Sequence, residues 1–189
     1  MIRPVYNFLA SEAGWFACVL GAVNGTPWFG PLVVAMLIYI HLRLVKRPGA
    51  DVRLILAAVA MGLIADSALV ASGLVSYPGG TWIPGVAPYW ILAMWAIFST
   101  TLNSSLKWLQ GRLGLASILG AVFGPLAYLA GEELGAIRLE APVLAIIALA
   151  VIWAVSMPLL ARLASRWNSM ADRVRPDYIL DSWRVNSSA

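Results

Sequence analysis

The chain has 189 residues, of which 61% are hydrophobic and 12% charged, with a net charge of +4 and one cysteine. Soluble domains carry roughly 25% charged residues, so this composition excludes a soluble domain, and a mean hydropathy of +0.81 points to the bilayer. Cys18 alone excludes an internal disulfide and any cysteine-based metal cluster.

A run of about 20 apolar residues crosses a bilayer. The first such run is expected over residues 4–23, with Pro4 in its first turn, where a missing amide is harmless. Glu12 interrupts the run, and Gly21-Ala22-Val23-Asn24 lacks the usual pair of small residues before a cleavage site, so residues 1–25 read as a retained helix rather than a signal peptide. Asn24-Gly-Thr-Pro27 is a turn cluster leading to a second, shortest span over residues 28–44. A charged connection from His41 to Arg53 leads into a third span, 52–75. The uncharged loop YPGGTWIPGVAP separates it from a fourth span, 88–109, and Gln110-Gly-Arg112 turns the chain into a fifth, 113–135. The sixth covers residues 142–163. Together these predict an all-α polytopic membrane domain, residues 1–163, with six transmembrane helices, followed by a juxtamembrane tail over residues 164–189.

With six spans, Arg138 is the one basic residue on its side of the membrane, and the other twelve Lys and Arg fall on the opposite side. The positive-inside rule then places both termini in the cytoplasm of a bacterial inner membrane. Trp28, Tyr77, Trp82, Tyr89 and Trp90 are expected at the outer face as an interfacial aromatic belt. In the tail, Arg162, Arg166, Arg173, Arg175 and Arg184 with Trp167, Tyr178 and Trp183 read as an amphipathic segment on the inner leaflet or as a docking peptide. Basic residues that flank spans attract anionic lipid headgroups, so membrane lipids are the expected partners and nucleic acid is not.

Residues 95–109, WAIFSTTLNSSLKWL, carry the densest polar cluster, with six polar side chains in the seven positions 99–105. On a continuous helix Ser99, Thr100, Asn103, Ser104 and Lys107 share one stripe. Hydrocarbon cannot satisfy such a stripe, so it predicts interhelical hydrogen bonds or an inward-opening polar cavity with Lys107 at its rim. Asp66 and Glu12 lie deep in their spans, where ionisable residues are functional candidates by default. Asp66 shares a face with Gly62 and Gly73, and its expected partners are the hydroxyls or Asn103 of the fourth span. It reads either as a hydrogen-bonded lock between helices or as a ligand- or proton-handling group. In the fifth span Gly120, Gly124, Gly131 and Gly135 line one narrow face, an expected helix-packing groove. His41 is expected at the interface beside arginines, and with no second His at ligand spacing neither a metal nor another cofactor is expected.

The stretches WFACVLGA (residues 15–22), Asp66-Ser67, FSTTLNSSLKWL (98–109) and GPLAYLAGEELGA (124–136) together resemble a family of small proteobacterial inner-membrane proteins of unknown function. Members of that family often carry His directly after the Asn and Gln near the Glu12 position, where this chain has Ser104 and Glu12. The resemblance brings no established activity, and it implies a lipid-modifying enzyme of the cyclopropane-fatty-acid synthase type as a neighbour. The functional expectation is a non-enzymatic lipid-binding or lipid-handling accessory. The alternatives are a small intramembrane enzyme using Asp66, Asn103 and Glu12, or a proton-coupled transporter of small solutes.

Overall fold

A computed structural model describes residues 2–173. They form six helices, α1 (Ile2–Val23), α2 (Phe29–Leu44), α3 (Pro48–Ala71), α4 (Tyr89–Thr101), α5 (Leu113–Glu133) and α6 (Pro142–Arg173), with two-residue strands β1 (Val75–Ser76) and β2 (Arg138–Leu139). Three are long and apolar enough to cross a membrane: α3, α5 and, within α6, Pro142–Ala171. α2 and α4 are shorter apolar helices. Leu32, Ile64, Phe123 and Val143 are exposed on the outside while Asn7, His41, Asp51 and Asp66 are buried within. Apolar outside and polar inside is the distribution that a lipid solvent imposes.

The helices alternate in direction, so the bundle has two ends. One gathers the start of α1, the α2–α3 and α4–α5 connections and the end of α6. The other gathers the α1–α2, α3–α4 and α5–α6 connections, where β1 and β2 pair antiparallel with Val75 opposite Leu139 and Ser76 opposite Arg138. α4 is the central helix and packs on α1, α2 and α3, while α6 joins α3 to α5.

Helix ends depart from the sequence expectation for local reasons. α3 stops at Ala71 rather than at residue 75 because Gly73 takes a left-handed φ of +70°, and Leu74 N–H then donates to the Leu69 carbonyl at 3.1 Å. Gly135 does the same after α5, with φ +85° and Ala136 N–H donating to the Gly131 carbonyl at 2.9 Å. Gly135 therefore ends a helix and does not belong to a packing groove. α4 stops at Thr101, not at residue 109. The hydroxyls of Ser99, Thr100 and Thr101 donate back to the carbonyls of Ala96, Ile97 and Phe98 at 2.8, 2.7 and 2.6 Å, and such side-chain bonds compete with helix continuation. The chain then runs through turns and a 3₁₀ turn at Lys107–Leu109 before α5. α6 continues ten residues beyond the expected end at 163, so the first part of the expected tail is helix. Arg175, Tyr178, Trp183 and Arg184 lie outside the described residues.

Gly120 and Gly124 seat α5 on α6: a Cβ on Gly120 would meet the Trp153 carbonyl and the Met157 side chain, and one on Gly124 would overlap the Trp153 ring. Gly131 faces Ile137 of its own connection instead. Overpacking a close contact costs about 1–3 kcal/mol. Gly124→Val is expected to lower the thermal midpoint of detergent-solubilised protein by several degrees. Gly114→Ala, where a Cβ meets nothing within 4 Å, is expected to leave it unchanged or raise it; equal midpoints for the two variants would overturn this account of the α5–α6 contact.

Candidate functional site

Because α4 ends early, the segment after it can turn its polar side chains towards the neighbouring helix ends. They line a cavity of about 780 Å³ with Arg3, Tyr6 and Asn7 of α1, His41 of α2, Asp51 of α3 and Asn168 of α6. Asn103, Ser104 and Lys107 contribute from the turn segment, and Lys46 and Arg47 from the α2–α3 connection.

The floor is a continuous hydrogen-bond network. Asp51 accepts from His41 Nε2 and from Asn103 Nδ2, each at 3.2 Å to the same Oδ1. With Nε2–H committed to Asp51, His41 Nδ1 faces the Asn7 amide nitrogen at 3.4 Å. Asn7 Nδ2 also donates to Thr100 Oγ1 at 3.0 Å, and its Oδ1 accepts from the Ser105 hydroxyl at 2.9 Å. Asn103 Oδ1 accepts from Asn168 Nδ2 at 2.7 Å and from Gln110 Nε2 at 3.0 Å. Asn7, His41 and Asp51 are each buried, and Thr100 is covered almost completely. Above this floor stand the exposed cations Arg3, Lys46 and Lys107 and the half-buried Arg47, which donates to the Asn168 carbonyl at 3.2 Å. Among the described residues no carboxylate lies within salt-bridge distance of Arg3, Lys46 or Lys107. The Tyr6 hydroxyl, on the cavity wall, is buried and has no partner among the described residues.

Asn103, Ser104 and Lys107 therefore meet at the cavity, with Thr100 behind Asn7. Ser99 is fully buried and spent on the Ala96 carbonyl. Glu12 is exposed on the outer face of α1 and does not line the cavity. Asp66 belongs to a different centre. It lies fifteen residues beyond Asp51 on α3, roughly 22 Å along the axis. Its carboxyl receives Tyr77 Oη at 2.7 Å and Tyr128 Oη on Oδ1, and Trp95 Nε1 at 2.7 Å on Oδ2. Its partner on α4 is thus Trp95, not a hydroxyl or Asn103. Gly62, one turn earlier on the same face, makes this pairing sterically allowed, since a Cβ there would overlap the Trp95 ring. Asp66, Asn103 and Glu12 do not surround one cavity.

Sequence reasoning missed the His41–Asp51 pair and Asn7, placing His41 at the interface. Their signal was positional: each is a polar residue within two turns of a helix end, and alternating helix directions bring those ends together. Tyr77 and Trp90 likewise are not interfacial anchors. Both are buried, stack edge-on at 5.6 Å, and Trp90 Nε1 donates to the Gly79 carbonyl at 2.9 Å.

The chain belongs to a family described as proteins of unknown function, DUF2878, whose model matches residues 4–159. No curated protein and no solved structure matches it.

A carboxyl removed from solvent with three donors aimed at it leaves all three orphaned if it is deleted, each at about 1–3 kcal/mol. Asp66→Ala is expected to be among the most destabilising single changes in the bundle, lowering the thermal midpoint far more than Tyr77→Phe, which removes one donor. A midpoint for Asp66→Ala within a degree or two of wild type would show that the cluster does not hold the helices.

Proposed function

We propose that this member of the family spans a bacterial inner membrane with both termini inside and binds the anionic headgroup of a membrane lipid in the cavity at the His41–Asp51 end. The observation that carries this reading is the charge imbalance at the cavity: among the described residues Arg3, Lys46 and Lys107 have no carboxylate within salt-bridge distance, and the one carboxylate on the lining, Asp51, accepts from His41 and Asn103. A phosphate or phosphodiester group supplies the missing counter-charge, and charge-assisted hydrogen bonds are about twice as strong as neutral ones. The unspent Tyr6 hydroxyl adds a neutral donor. Pro4, Leu44 and Val45 on the lining suit the apolar part next to a headgroup better than a fully hydrated ion. The concentration of basic residues at this end supports a cytoplasmic orientation by the positive-inside rule.

The His41–Asp51 pair favours a second reading, an enzyme acting on the bound lipid. A carboxylate that orients an imidazole beside a cavity is the arrangement of a general base. A lipidomic comparison of cells with wild-type protein and with His41→Gln separates the two, since an accessory that only binds leaves no accumulated substrate.

For the binding reading, purified protein in mixed-lipid nanodiscs is expected to retain phosphatidylglycerol in preference to phosphatidylethanolamine by native mass spectrometry. Lys46→Ala and Lys107→Ala are each expected to weaken retention about 5- to 30-fold, the equivalent of about 1–2 kcal/mol per lost charge-assisted contact. Glycerol phosphate added in excess competes if a soluble phosphate is the true ligand. Retention that is equal for the two lipids and unchanged in both variants would overturn the proposal.

A further inference from the structure

Three cations on the cavity lining, Arg3, Lys46 and Lys107, have no carboxylate within salt-bridge distance among the described residues. A fourth, Arg47, is engaged with the Asn168 carbonyl. Setting the Asp51 carboxylate against one of the first three still leaves two positive charges. One phosphodiester carries a single negative charge, so a lipid with one such group leaves the cavity positive. The volume is also more than one phosphate fills. Its five heavy atoms, at no more than the roughly 30 Å³ of a liquid water each, take up about 150 Å³. The cavity holds about 780 Å³.

The three cations come from separate parts of the chain. Lys46 lies in the α2–α3 connection and Lys107 in the 3₁₀ turn after α4, whereas Arg3 lies in the first turn of α1. Arg3, Tyr6 and Asn7 are spaced i, i+3 and i+4 and so share one face of α1. Asn7 fixes which way that face turns. Its side chain bonds Thr100 at 3.0 Å and Ser105 at 2.9 Å, so rotating α1 would break the floor of the cavity. Arg3 and Tyr6 are thereby presented to the cavity one turn nearer the end of the bundle, and both line it. The Tyr6 hydroxyl is buried without a partner among the described residues, a state that folding disfavours. An arginine one turn from an unpaired hydroxyl forms a second anion subsite, because a guanidinium offers phosphate oxygens a fork of N–H donors.

We infer that the cavity takes a lipid with two phosphodiesters joined through one glycerol, a diphosphatidylglycerol. One phosphate lies at Lys46 and Lys107 and the second at Arg3. This rests on the headgroup reading, to which it adds a second phosphate and the residue that selects it. Two phosphates match the two charges that Asp51 leaves over. Basic pockets between membrane helices on the cytoplasmic side bind headgroups of this kind. A free diphosphate offers a similar pair of charges without acyl chains, and Pro4, Leu44 and Val45 on the lining favour the lipid.

The test is native mass spectrometry of full-length protein released from nanodiscs of phosphatidylethanolamine with phosphatidylglycerol and diphosphatidylglycerol, the last two in amounts that supply equal phosphate. Diphosphatidylglycerol is expected to be retained about 5- to 30-fold over phosphatidylglycerol, the gain of one charge-assisted contact. Arg3→Gln is expected to bring that ratio to about one while phosphatidylglycerol stays preferred over phosphatidylethanolamine. Arg3 is exposed, so the thermal midpoint is expected to be unaltered, and Arg3→Lys is expected to keep most of the ratio. Arg43→Gln, at an exposed arginine of α2 that does not line the cavity, is expected to leave the ratio unchanged. A wild-type ratio near one, with phosphatidylglycerol still preferred over phosphatidylethanolamine, overturns the second phosphate and leaves the headgroup reading standing. Equal retention of those two lipids overturns both. A ratio that survives Arg3→Gln, or that falls as far in Arg43→Gln, overturns the assignment to Arg3. Phosphatidic acid retained as well as diphosphatidylglycerol overturns the inference, because a second charge on one phosphate then suffices. Displacement of the lipid by equimolar inorganic diphosphate overturns it too, since the ligand is then soluble.

Discussion

A carboxyl group cut off from water has to be met by hydrogen-bond donors, and the way Asp66 is met governs how four helices sit together. The donors come from the loop after β1 (Tyr77), from α4 (Trp95) and from α5 (Tyr128). Trp95 reaches the carboxyl because Gly62 leaves room for its ring on α3. The same ring stacks on Trp153 of α6, which in turn rests in the hollow left by Gly120 and Gly124 of α5. Remove the side-chain-free surface at either glycine position and the stack has nowhere to go. In a medium where apolar surfaces gain nothing by meeting one another, this combination of close approach and polar pairing is what joins helices.

The opposite end is shaped by the length of α4. A helix of thirteen residues covers roughly 20 Å, short of a hydrocarbon core of about 30 Å. Beyond Thr101 the backbone is irregular, and an apolar medium tolerates such backbone only where protein or water meets it. Here Leu106 N–H bonds the Thr101 carbonyl at 2.8 Å and Gln110 Nε2 bonds the Leu102 carbonyl at 2.8 Å. Asn103 is tied to both Asp51 and Asn168, so α3 and α6 hold the segment in place.

Much of the bundle was legible because span length and turn clusters are local properties. Six apolar runs became six helices, and Asn24–Pro27 and the Gly/Pro loop fell between them as expected. The site was legible only in part. Polar residues at 99–107 do gather at a cavity, yet a helical wheel drawn through residue 109 assumed a regularity that three consecutive hydroxyl back-bonds remove. The expected pairing of Asp66 with Asn103 fails because Asp66 lies towards the far end of α3, and of the α5 glycines only Gly120 and Gly124 face α6. His41, Asp51 and Asn7 each looked unremarkable alone, since their meaning depends on which helix ends meet. Glu12 failed for the converse reason: depth along a helix was readable, but not the side from which α1 is covered.

The two polar centres differ in what they leave unspent. At Asp66 three donors meet one fully buried carboxyl with two oxygens, and none of those donors is charged. At Asp51 the buried floor is equally well paired, but the layer above it consists of cations facing about 780 Å³ of open volume. Among the described residues Arg3, Lys46 and Lys107 have no carboxylate within salt-bridge distance, and long basic side chains gathered in that way repel one another. In the floor Asp51 Oδ1 accepts from His41 and Asn103, and Asn103 Oδ1 accepts from Gln110 and Asn168, so these oxygens face donors of the protein. Cations at the rim over a floor whose carboxylate already accepts two hydrogen bonds are the electrostatic condition on which the headgroup proposal rests.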